Sequence, residues 1–247
     1  MTTHMLPPPT TAPAELARAL REQGHAALSP SGLFELVHAA PAALDALRPS
    51  WSDLPPDEHL RDGGRYRRRR HACFIVDGAT ITPVPHRAHW QPVEYNALHG
   101  GLERWFAPMQ ADVIAQPAWA ALLRELAAQC SAVKGARPWY VEAHQFRIDT
   151  TDGIGRPTPE GAHRDGVDFV AVILIDRQGI KGGETRVFEA DGPAGLRFTM
   201  SEPWTTLLLD DERVIHESTP IQPLAPGGHR DTLVLTFRSG AFQDPVT

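Results

Sequence analysis

The chain has few cysteines and no long apolar run, which excludes two classes of protein. Its 247 residues include only two cysteines, Cys73 and Cys130, which stand in no zinc-binding or redox spacing and are too few for a disulfide framework. No apolar run approaches the roughly 20 residues that cross a bilayer. The start of the chain, MTTHMLPPPTTAPAE, lacks the basic residues and apolar core of a signal peptide. The composition therefore predicts a reduced, cytoplasmic protein.

An excess of positive charge is also absent. The net charge of −6 at pH 7 provides no overall basic field to attract nucleic acid or an anionic membrane. The exception is RYRRRRH, residues 65–71, because a cationic run of this kind can be a nucleic-acid patch. In an acidic chain we interpret it instead as a strand whose alternate arginines are buried in ion pairs. We expect a small-molecule partner, no nucleic acid and no membrane; the sequence leaves the oligomeric state unknown.

Helical patterns occupy the first half of the chain and strand patterns the second. Apolar residues recur at helical spacing in three segments, 12–28, 32–48 and 117–133. Pro41 interrupts or begins a helix within the second segment. From Trp139 onward, short β-branched runs alternate with clusters of Gly, Pro and Asp, which is typical of an antiparallel β architecture.

This order of patterns predicts the α+β class and a single domain. We expect flanking N-terminal helices and a cupin-like, double-sheet jelly-roll core at about residues 139–240, all within one domain of residues 13–247. Residues 1–12 are rich in proline and threonine, and we predict a disordered N-terminal tail there.

Three residues of the second half have the spacing of a metal site. His163 and Asp165 lie two residues apart in PEGAHRDGVDFVAVILI, and His216 follows in LLLDDERVIHESTP. Side chains two residues apart on an extended segment point to the same side, and a histidine on a neighbouring strand can complete one face of a metal ion. Two histidines and one carboxylate on one face leave the open positions that non-haem Fe(II) oxygenases use. The alternatives are an ordinary polar turn, or zinc bound by the same donors.

A possible anion anchor follows the last of these histidines. In GGHRDTLVLTFR, Arg230 and Thr232 lie two residues apart at the start of an apolar strand. An arginine and a hydroxyl on one strand face can bind a carboxylate through a forked, charge-assisted pair of hydrogen bonds and a third from the hydroxyl. This contact suits the distal carboxylate of 2-oxoglutarate. Taken alone, the pair is better explained as a surface strand arginine in a salt bridge followed by a threonine that favours strands.

These segments together resemble a known family, the bacterial Fe(II)/2-oxoglutarate-dependent dioxygenases of the L-isoleucine 4-hydroxylase type, which oxidise free L-amino acids. The matching segments, in order, are YRRRRHACF, YNALHGGLERWFAP, VEAHQFRI, PEGAHRDGVDFVAVILI, GGETRVF, LLLDDERVIHESTPI and HRDTLVLTFR. The resemblance covers roughly residues 60 to 240. It implies a double-stranded β-helix core, Fe(II) bound by His163, Asp165 and His216, and 2-oxoglutarate anchored by Arg230 and Thr232.

The resemblance also implies a reaction. We expect a dioxygenase that uses Fe(II), 2-oxoglutarate and O₂, with ascorbate as a reductant in vitro, to hydroxylate an unactivated C–H bond of a free L-amino acid and release succinate and CO₂. The presence of Asp165 favours hydroxylation, since related halogenases have a small residue there. The alternatives are the same machinery acting on a carrier-tethered amino acid or another small metabolite, and a non-catalytic cupin-like metal-binding protein.

A free amino acid needs a cation for its carboxylate and an acceptor for its ammonium group. The candidates that the sequence offers for these contacts are Tyr95, Asn96, Arg104, Glu160 and Arg164. Strand alternation places Arg164 on the side away from the metal, because it lies between two ligands.

Overall fold

The computed structural model describes residues 5–96 and 98–245. Its α-helices are α1 (Leu16–Gln23), α2 (Pro30–Leu36), α3 (Pro41–Asp45), α4 (Ala111–Ile114) and α5 (Pro117–Lys134). Its strands are β1 (His25–Leu28), β2 (Arg67–Asp77), β3 (Thr80–Pro83), β4 (Trp139–Asp149), β5 (Phe169–Gln178), β6 (Ile180–Gly182), β7 (Thr185–Glu189), β8 (Gly195–Phe198), β9 (Thr206–Asp210), β10 (Val214–Ser218), β11 (Ile221–Pro223) and β12 (His229–Ser239). Two 3₁₀ helices span Pro13–Glu15 and Arg48–Asp53.

The strands form a large antiparallel sheet and two small ones. The large sheet has the strand order β1-β9-β5-β12-β4-β2-β3, and the small sheets are β10-β7-β8 and β11-β6. The mixture of N-terminal helices with this antiparallel sheet confirms the α+β, jelly-roll prediction.

Strand β12 shows how the large sheet separates the apolar core from a polar cavity. Leu233, Leu235 and Phe237 belong to the main apolar cluster, which also contains the buried face of α5. The alternating residues Arg230 and Thr232 line the cavity on the opposite side. Because side chains alternate along a strand, β12 contributes residues both to the apolar core and to the wall of the cavity.

The helices differ from the sequence prediction in one place. The helical pattern of residues 12–28 ends at Gln23, because Gly24 takes a left-handed conformation (φ 74°) that caps α1. The following residues form β1, which pairs with β9 at the edge of the large sheet. Predicting helix through Leu28 was therefore wrong. Pro41 begins α3, in agreement with the prediction.

The arginine-rich run is a strand with alternating burial, as interpreted from its composition. Arg67 and Arg69 are buried on β2, and both face the Asp57 carboxylate, at 2.7 Å and 3.8 Å. Arg68 and Arg70 lie on the opposite face and are half-buried. The cationic run is thus partly neutralised within the fold.

The segment predicted as a disordered tail is only partly described, since residues 1–4 lie outside the described residues. In the remainder, Thr11 donates a backbone hydrogen bond to Ala27 (2.7 Å), and Leu6 accepts one from Thr199 (2.8 Å). These bonds hold residues 6–11 against the sheet, which differs from a free tail. Among the described residues, no helix is long and apolar enough to span a membrane.

Candidate active site

The loop before β5 carries the first two candidate ligands. His163 and Asp165 precede the strand in extended backbone, and Gly166 turns the chain at φ 76°. The buried Asp211 carboxylate accepts three backbone hydrogen bonds from this loop, from Asp165 (3.0 Å), Gly166 (2.7 Å) and Val167 (3.1 Å). Asp211 therefore fixes the backbone of the loop, and with it the position from which the Asp165 side chain extends.

His216 on β10 completes the group. Its backbone pairs with that of His163 through two hydrogen bonds, of 3.0 Å and 3.1 Å. The His216 and His163 Nε2 atoms lie 3.7 Å and 3.8 Å from different oxygens of Asp165. One ligand atom from each residue lies within 4.8 Å of the others, so the three side chains converge on one point.

The protonation of these side chains suits a metal ion. The Nδ1 atom of His163 lies 2.9 Å from the Gly161 carbonyl oxygen, which fixes the ring with Nε2 free to bind a metal. Burial lowers the pKa of His216 to about 3, so this ring is neutral. Burial also acts to lower the pKa of His163, but the Asp165 and Glu160 carboxylates outweigh it and raise that pKa. Two imidazoles and a carboxylate on one side of an open cavity fit a divalent ion such as Fe(II).

A second group of possible ligands lies deeper, and several of its donor atoms already have partners. His71, His89, Glu142 and His144 are all buried. Arg69 donates to Nδ1 of His144 at 2.7 Å, which leaves the proton of the neutral ring on Nε2, facing Glu142. The Nδ1 atom of His89 also contacts this carboxylate, at 2.5 Å from Glu142 Oε2. With the guanidinium of Arg69 beside it, this group is a polar network that a second cation would disrupt.

A third group lies on the sheet at Asp176, His229 and Asp231. Arg147 binds Asp231 through two hydrogen bonds, of 2.8 Å and 2.6 Å, and Arg48 lies 3.4 Å from Asp176. Two guanidinium groups already supply the positive charge that these carboxylates require. The group at His163 is therefore the candidate metal centre.

A cavity of about 860 Å³, open to solvent, lies over this centre. Both predicted anchor residues line it, Arg230 and Thr232, which are buried and point from β12 toward the same space. Within the described part of the chain, Nε and Nη2 of Arg230 have no hydrogen-bond partner and no carboxylate lies within salt-bridge distance of it. Burial and the nearby Arg177 lower the pKa of Arg230 to about 10, so the group stays charged at neutral pH. An unpaired buried cation of this kind requires an anionic ligand.

A second arginine, Arg104, lines the cavity from the segment between β3 and α4. Arg104 is buried, and its Nη2 donates to the Gln91 side-chain oxygen at 2.9 Å. None of the described carboxylates lies within salt-bridge distance of Arg104. Burial and the nearby Arg67 lower its pKa to about 10, and the Glu160 carboxylate acts against them. Glu160 also lines the cavity, and its Oε2 atom is buried without a hydrogen-bond partner.

The structure separates the substrate-contact candidates of the sequence into two sets. Asn96, Arg104 and Glu160 line the cavity. Arg164 points away and donates to the Asp211 backbone at 2.6 Å, in agreement with strand alternation. The Tyr95 ring packs on the backbone of the loop instead, since a Cβ added to Gly166 would lie 2.4 Å from it.

Two side chains that support the centre were missed from the sequence. Gln91 donates to Asp165 at 3.2 Å, and Asp211 holds the loop. Asp211 has a signal in the sequence, because the aspartate pair in LLLDD stands at the end of an apolar run shortly before His216. Gln91 has none, because its contact joins segments far apart in the chain.

Comparison with known proteins bears on both fold and chemistry. A family model described as 2OG-Fe dioxygenase matches residues 48–236. The chain is similar to the crystal structure of a bsmA homolog from Methylobium petroleophilum PM1, with 54% sequence identity, 98% of this chain and 99% of that chain covered, and a TM-score of 0.92. A search of curated proteins gave no match.

Two further structures share the fold at low identity. The chain is similar to IDO from Bacillus thuringiensis, with 16% identity, 98% of this chain and 100% of that chain covered, and a TM-score of 0.74. It is also similar to the Fe(II)/(alpha)ketoglutarate-dependent dioxygenase TqaL, with 20% identity, 95% of this chain and 90% of that chain covered, and a TM-score of 0.71. At these identities the likeness concerns the fold alone.

Proposed function

This chain belongs to the 2OG-Fe dioxygenase family, and from that premise we propose that it hydroxylates an unactivated C–H bond of a free L-amino acid. As a member of the family it is an enzyme that uses Fe(II), 2-oxoglutarate and O₂, which overrules the alternative of a non-catalytic binding protein. The amino acid substrate and the residue roles below are our proposals.

His163, Asp165 and His216 are the residues that would hold Fe(II). Their converging donor atoms, the fixed ring of His163 and the neutral ring of His216 support this assignment. When bound together, Fe(II), 2-oxoglutarate and O₂ supply the oxidant, so that one oxygen atom enters the substrate C–H bond as a hydroxyl group and the other enters succinate as CO₂ is lost. The carboxylate ligand Asp165 leaves no position for a halide, which favours hydroxylation.

Arg230 and Thr232 would bind the distal carboxylate of 2-oxoglutarate. Arg230 supplies the buried, unpaired guanidinium and Thr232 a hydroxyl group on the same face of β12. The backbone oxygen of Thr232 accepts a hydrogen bond from the indole of Trp51 at 3.1 Å, which holds this part of the strand in place. A bidentate contact of this type gives both affinity and direction.

The observation that carries the choice of substrate is that Arg104 and Glu160 face one cavity without pairing with each other. Both side chains line the cavity near the metal centre, and no salt bridge joins them. Within the described residues the Glu160 Oε2 atom has no hydrogen-bond partner, and Oε1 lies 3.6 Å from His163 Nε2. A zwitterion satisfies both groups at once, with its carboxylate on Arg104 and its ammonium group on Glu160. Apolar cavity residues, including Phe146 and Val172, are available to an aliphatic side chain.

The same observation argues against a carrier-tethered amino acid. Tethering converts the carboxylate into an ester-like group without charge, so the buried Arg104 would keep its charge without a counterion. That is a costly arrangement in a buried site.

The test is to incubate the enzyme with Fe(II), 2-oxoglutarate, ascorbate and each of the twenty amino acids. We expect succinate release coupled to a gain of one oxygen atom in at least one amino acid. Turnover should fall at least tenfold when that amino acid is amidated at its carboxylate or acylated at its amine, because either change leaves one buried charge unpaired.

Glu160→Gln is the matched variant, because it keeps the shape of the side chain and removes its charge. It should raise the KM for the amino acid and leave the KM for 2-oxoglutarate within about twofold. A carrier-tethered or macromolecular substrate that is turned over faster than every free amino acid would contradict the proposal.

A further inference from the structure

We propose that Gln91 is a positioning residue that links the substrate anchor Arg104 to the metal ligand Asp165, so that substrate and iron strengthen each other's binding. The inference rests on the proposed function, because it takes Arg104 as the carboxylate anchor and Asp165 as a ligand of Fe(II). It adds a physical connection between the two sites that neither assignment contains.

The Gln91 side chain contacts both sites directly. Its Nε2 donates to Asp165 Oδ1 at 3.2 Å. Its Oε1 accepts from Arg104 Nη2 at 2.9 Å and from Asn96 Nδ2 at 3.2 Å. Because two donors fix the oxygen, the amide has one orientation, with the NH₂ group toward Asp165. Gln91 is 6% exposed, so water does not replace these bonds readily.

Gln91 is the side chain that holds the carboxylate of Asp165 itself. Asp211 binds the backbone of the loop and not that carboxylate. In the described ranges, Gln91 is the one hydrogen-bond donor to the Asp165 carboxylate, since the two histidine Nε2 atoms lie 3.7 Å and 3.8 Å from it. The oxygen that Gln91 holds, Oδ1, is the one that lies 3.8 Å from His163 Nε2. Moving Gln91 would therefore rotate a carboxylate that must keep one oxygen toward the metal.

The backbone makes Gln91 and Arg104 a single unit. His89 and Arg104 exchange two backbone hydrogen bonds of 2.9 Å, and the Gln91 carbonyl accepts one from Gly101 at 2.8 Å. Asn96 is fixed in turn, since its side-chain oxygen accepts from the backbone of His99 at 2.8 Å.

The turn between Gln91 and Arg104 has no room for a larger side chain at Gly100. A Cβ added to Gly100 would lie 2.5 Å from the carbonyl oxygen of Asn96 and 2.6 Å from that of Pro92. The segment is thus closed tightly on itself, and a displacement of Arg104 is passed to Gln91.

The consequence is thermodynamic linkage between two ligands. A carboxylate bound to Arg104 restrains the guanidinium, which restrains Gln91 and hence Asp165 in the position that holds iron. Linkage is reciprocal, so iron must then raise the affinity for the amino acid by the same factor that the amino acid raises the affinity for iron. Hydrogen-bond partners of metal ligands typically change metal affinity by about 10- to 100-fold.

The experiment measures the dissociation constant of Fe(II) under anaerobic conditions, by competition with a coloured chelator. Each measurement is made with 2-oxoglutarate present, with and without the most active amino acid of the panel. In the wild-type enzyme, we expect the amino acid to lower the dissociation constant of Fe(II) by at least about 5-fold. In Gln91→Leu the substrate-free constant should rise by about 10-fold, and the effect of the amino acid should disappear.

Gln91→Glu is the second variant, since it keeps an acceptor for Arg104 but has no donor for Asp165. Its carboxylate also gives Arg104 a counterion, so the variant should bind the amino acid more weakly. Its two Fe(II) constants are therefore compared at an amino acid concentration that saturates the variant, and there the linkage should be lost. Gln222→Leu, an exposed glutamine on β11, is the matched control and should behave as the wild type.

The outcomes separate this inference from the proposed function. If amino acids are hydroxylated but Gln91→Leu and Gln91→Glu keep the wild-type ratio, the link through Gln91 is wrong and the proposed function stands. If no amino acid binds, the proposed function and the linkage both fall. If both variants lose the ratio while the Gln222→Leu control keeps it, the role of Gln91 is supported.

Discussion

At the scale of single residues, the two histidines of the metal centre have opposite surroundings. His216 is surrounded by protein, so burial keeps its ring neutral, with a pKa of about 3. His163 faces two carboxylates, which raise its pKa. A metal ion that binds His163 displaces the proton that those carboxylates favour. The same carboxylates therefore stabilise either the protonated ring or the bound metal ion. The backbone pairing of the two histidines holds their Cα atoms at a fixed separation.

Replacing His163, Asp165 or His216 by alanine should abolish turnover and leave the fold intact. Each removes one of the three donors, and none of them belongs to the apolar core. Succinate release measures activity, and circular dichroism measures the fold. His38→Asn, at an exposed position with φ 51° that asparagine tolerates, is a control that should keep full activity. Wild-type activity in His216→Ala would refute the ligand assignment.

Arg230→Ala should raise the 2-oxoglutarate concentration needed for half-maximal activity by at least tenfold. The lost contact is a bidentate, charge-assisted one in a buried site, which is worth about 2 to 5 kcal/mol. Fe(II) binding should be retained, because the arginine does not belong to the metal-binding group. Arg238→Ala, on the same strand, is the matched control. An unchanged 2-oxoglutarate requirement in Arg230→Ala would place the anchor elsewhere.

At the scale of elements, strand β2 combines a structural charge cluster with the wall of the active site. Arg67 and Arg69 both line the cavity, and the single Asp57 carboxylate neutralises their charge in part. The Arg69 guanidinium also lies 3.5 Å from the ring centroid of Phe106 and 4.4 Å from that of Phe146, which fixes its plane. The strand therefore presents ordered cations to the cavity without depending on a ligand for its stability.

Asp57→Asn should destabilise the protein by about 3 to 5 kcal/mol, because removing one partner leaves buried guanidinium groups uncompensated. Urea unfolding at pH 7 measures the change. Asp53→Asn, which breaks an exposed pair with Arg70, should cost less than about 1 kcal/mol. A cost for Asp57→Asn as small as that control would contradict the buried ion-pair account.

The Asp57 pair also predicts a pH dependence. Burial acts to raise the pKa of Asp57, but Arg67 and Arg69 outweigh it and hold the pKa below the ordinary value of 3.8. A carboxylate with a lowered folded-state pKa stabilises the fold above its unfolded pKa, and this stability is lost as the pH falls through the folded pKa. The wild type should therefore lose stability below about pH 4, and Asp57→Asn should lack that component. Parallel stability curves for the two proteins in acid would contradict the assignment.

At the scale of the whole molecule, the sequence predicts those parts of the site that lie on one segment. His163 with Asp165, and Arg230 with Thr232, are two residues apart on extended chain, so strand alternation is enough to bring each pair together. Gln91 could not be found in this way, since its bond to Asp165 depends on how a distant segment packs. The end of α1 was missed for a local reason, because apolar spacing continued past Gly24 although the glycine conformation stops the helix.

Binding of 2-oxoglutarate should stabilise the entire fold, because in the part of the chain that the structure describes the buried Arg230 has two guanidinium nitrogens without a hydrogen-bond partner. With Mn(II) as a redox-stable substitute for Fe(II), 2-oxoglutarate at about 100 times its dissociation constant should add about 2.7 kcal/mol. For a chain of this size the Tm should rise by about 5 to 10 °C beyond the value with Mn(II) alone. In Arg230→Ala, a tenfold weaker affinity reduces the gain at the same concentration to about 1.4 kcal/mol or less. Differential scanning fluorimetry measures both proteins, and an equal rise in both would show that the ligand does not use Arg230.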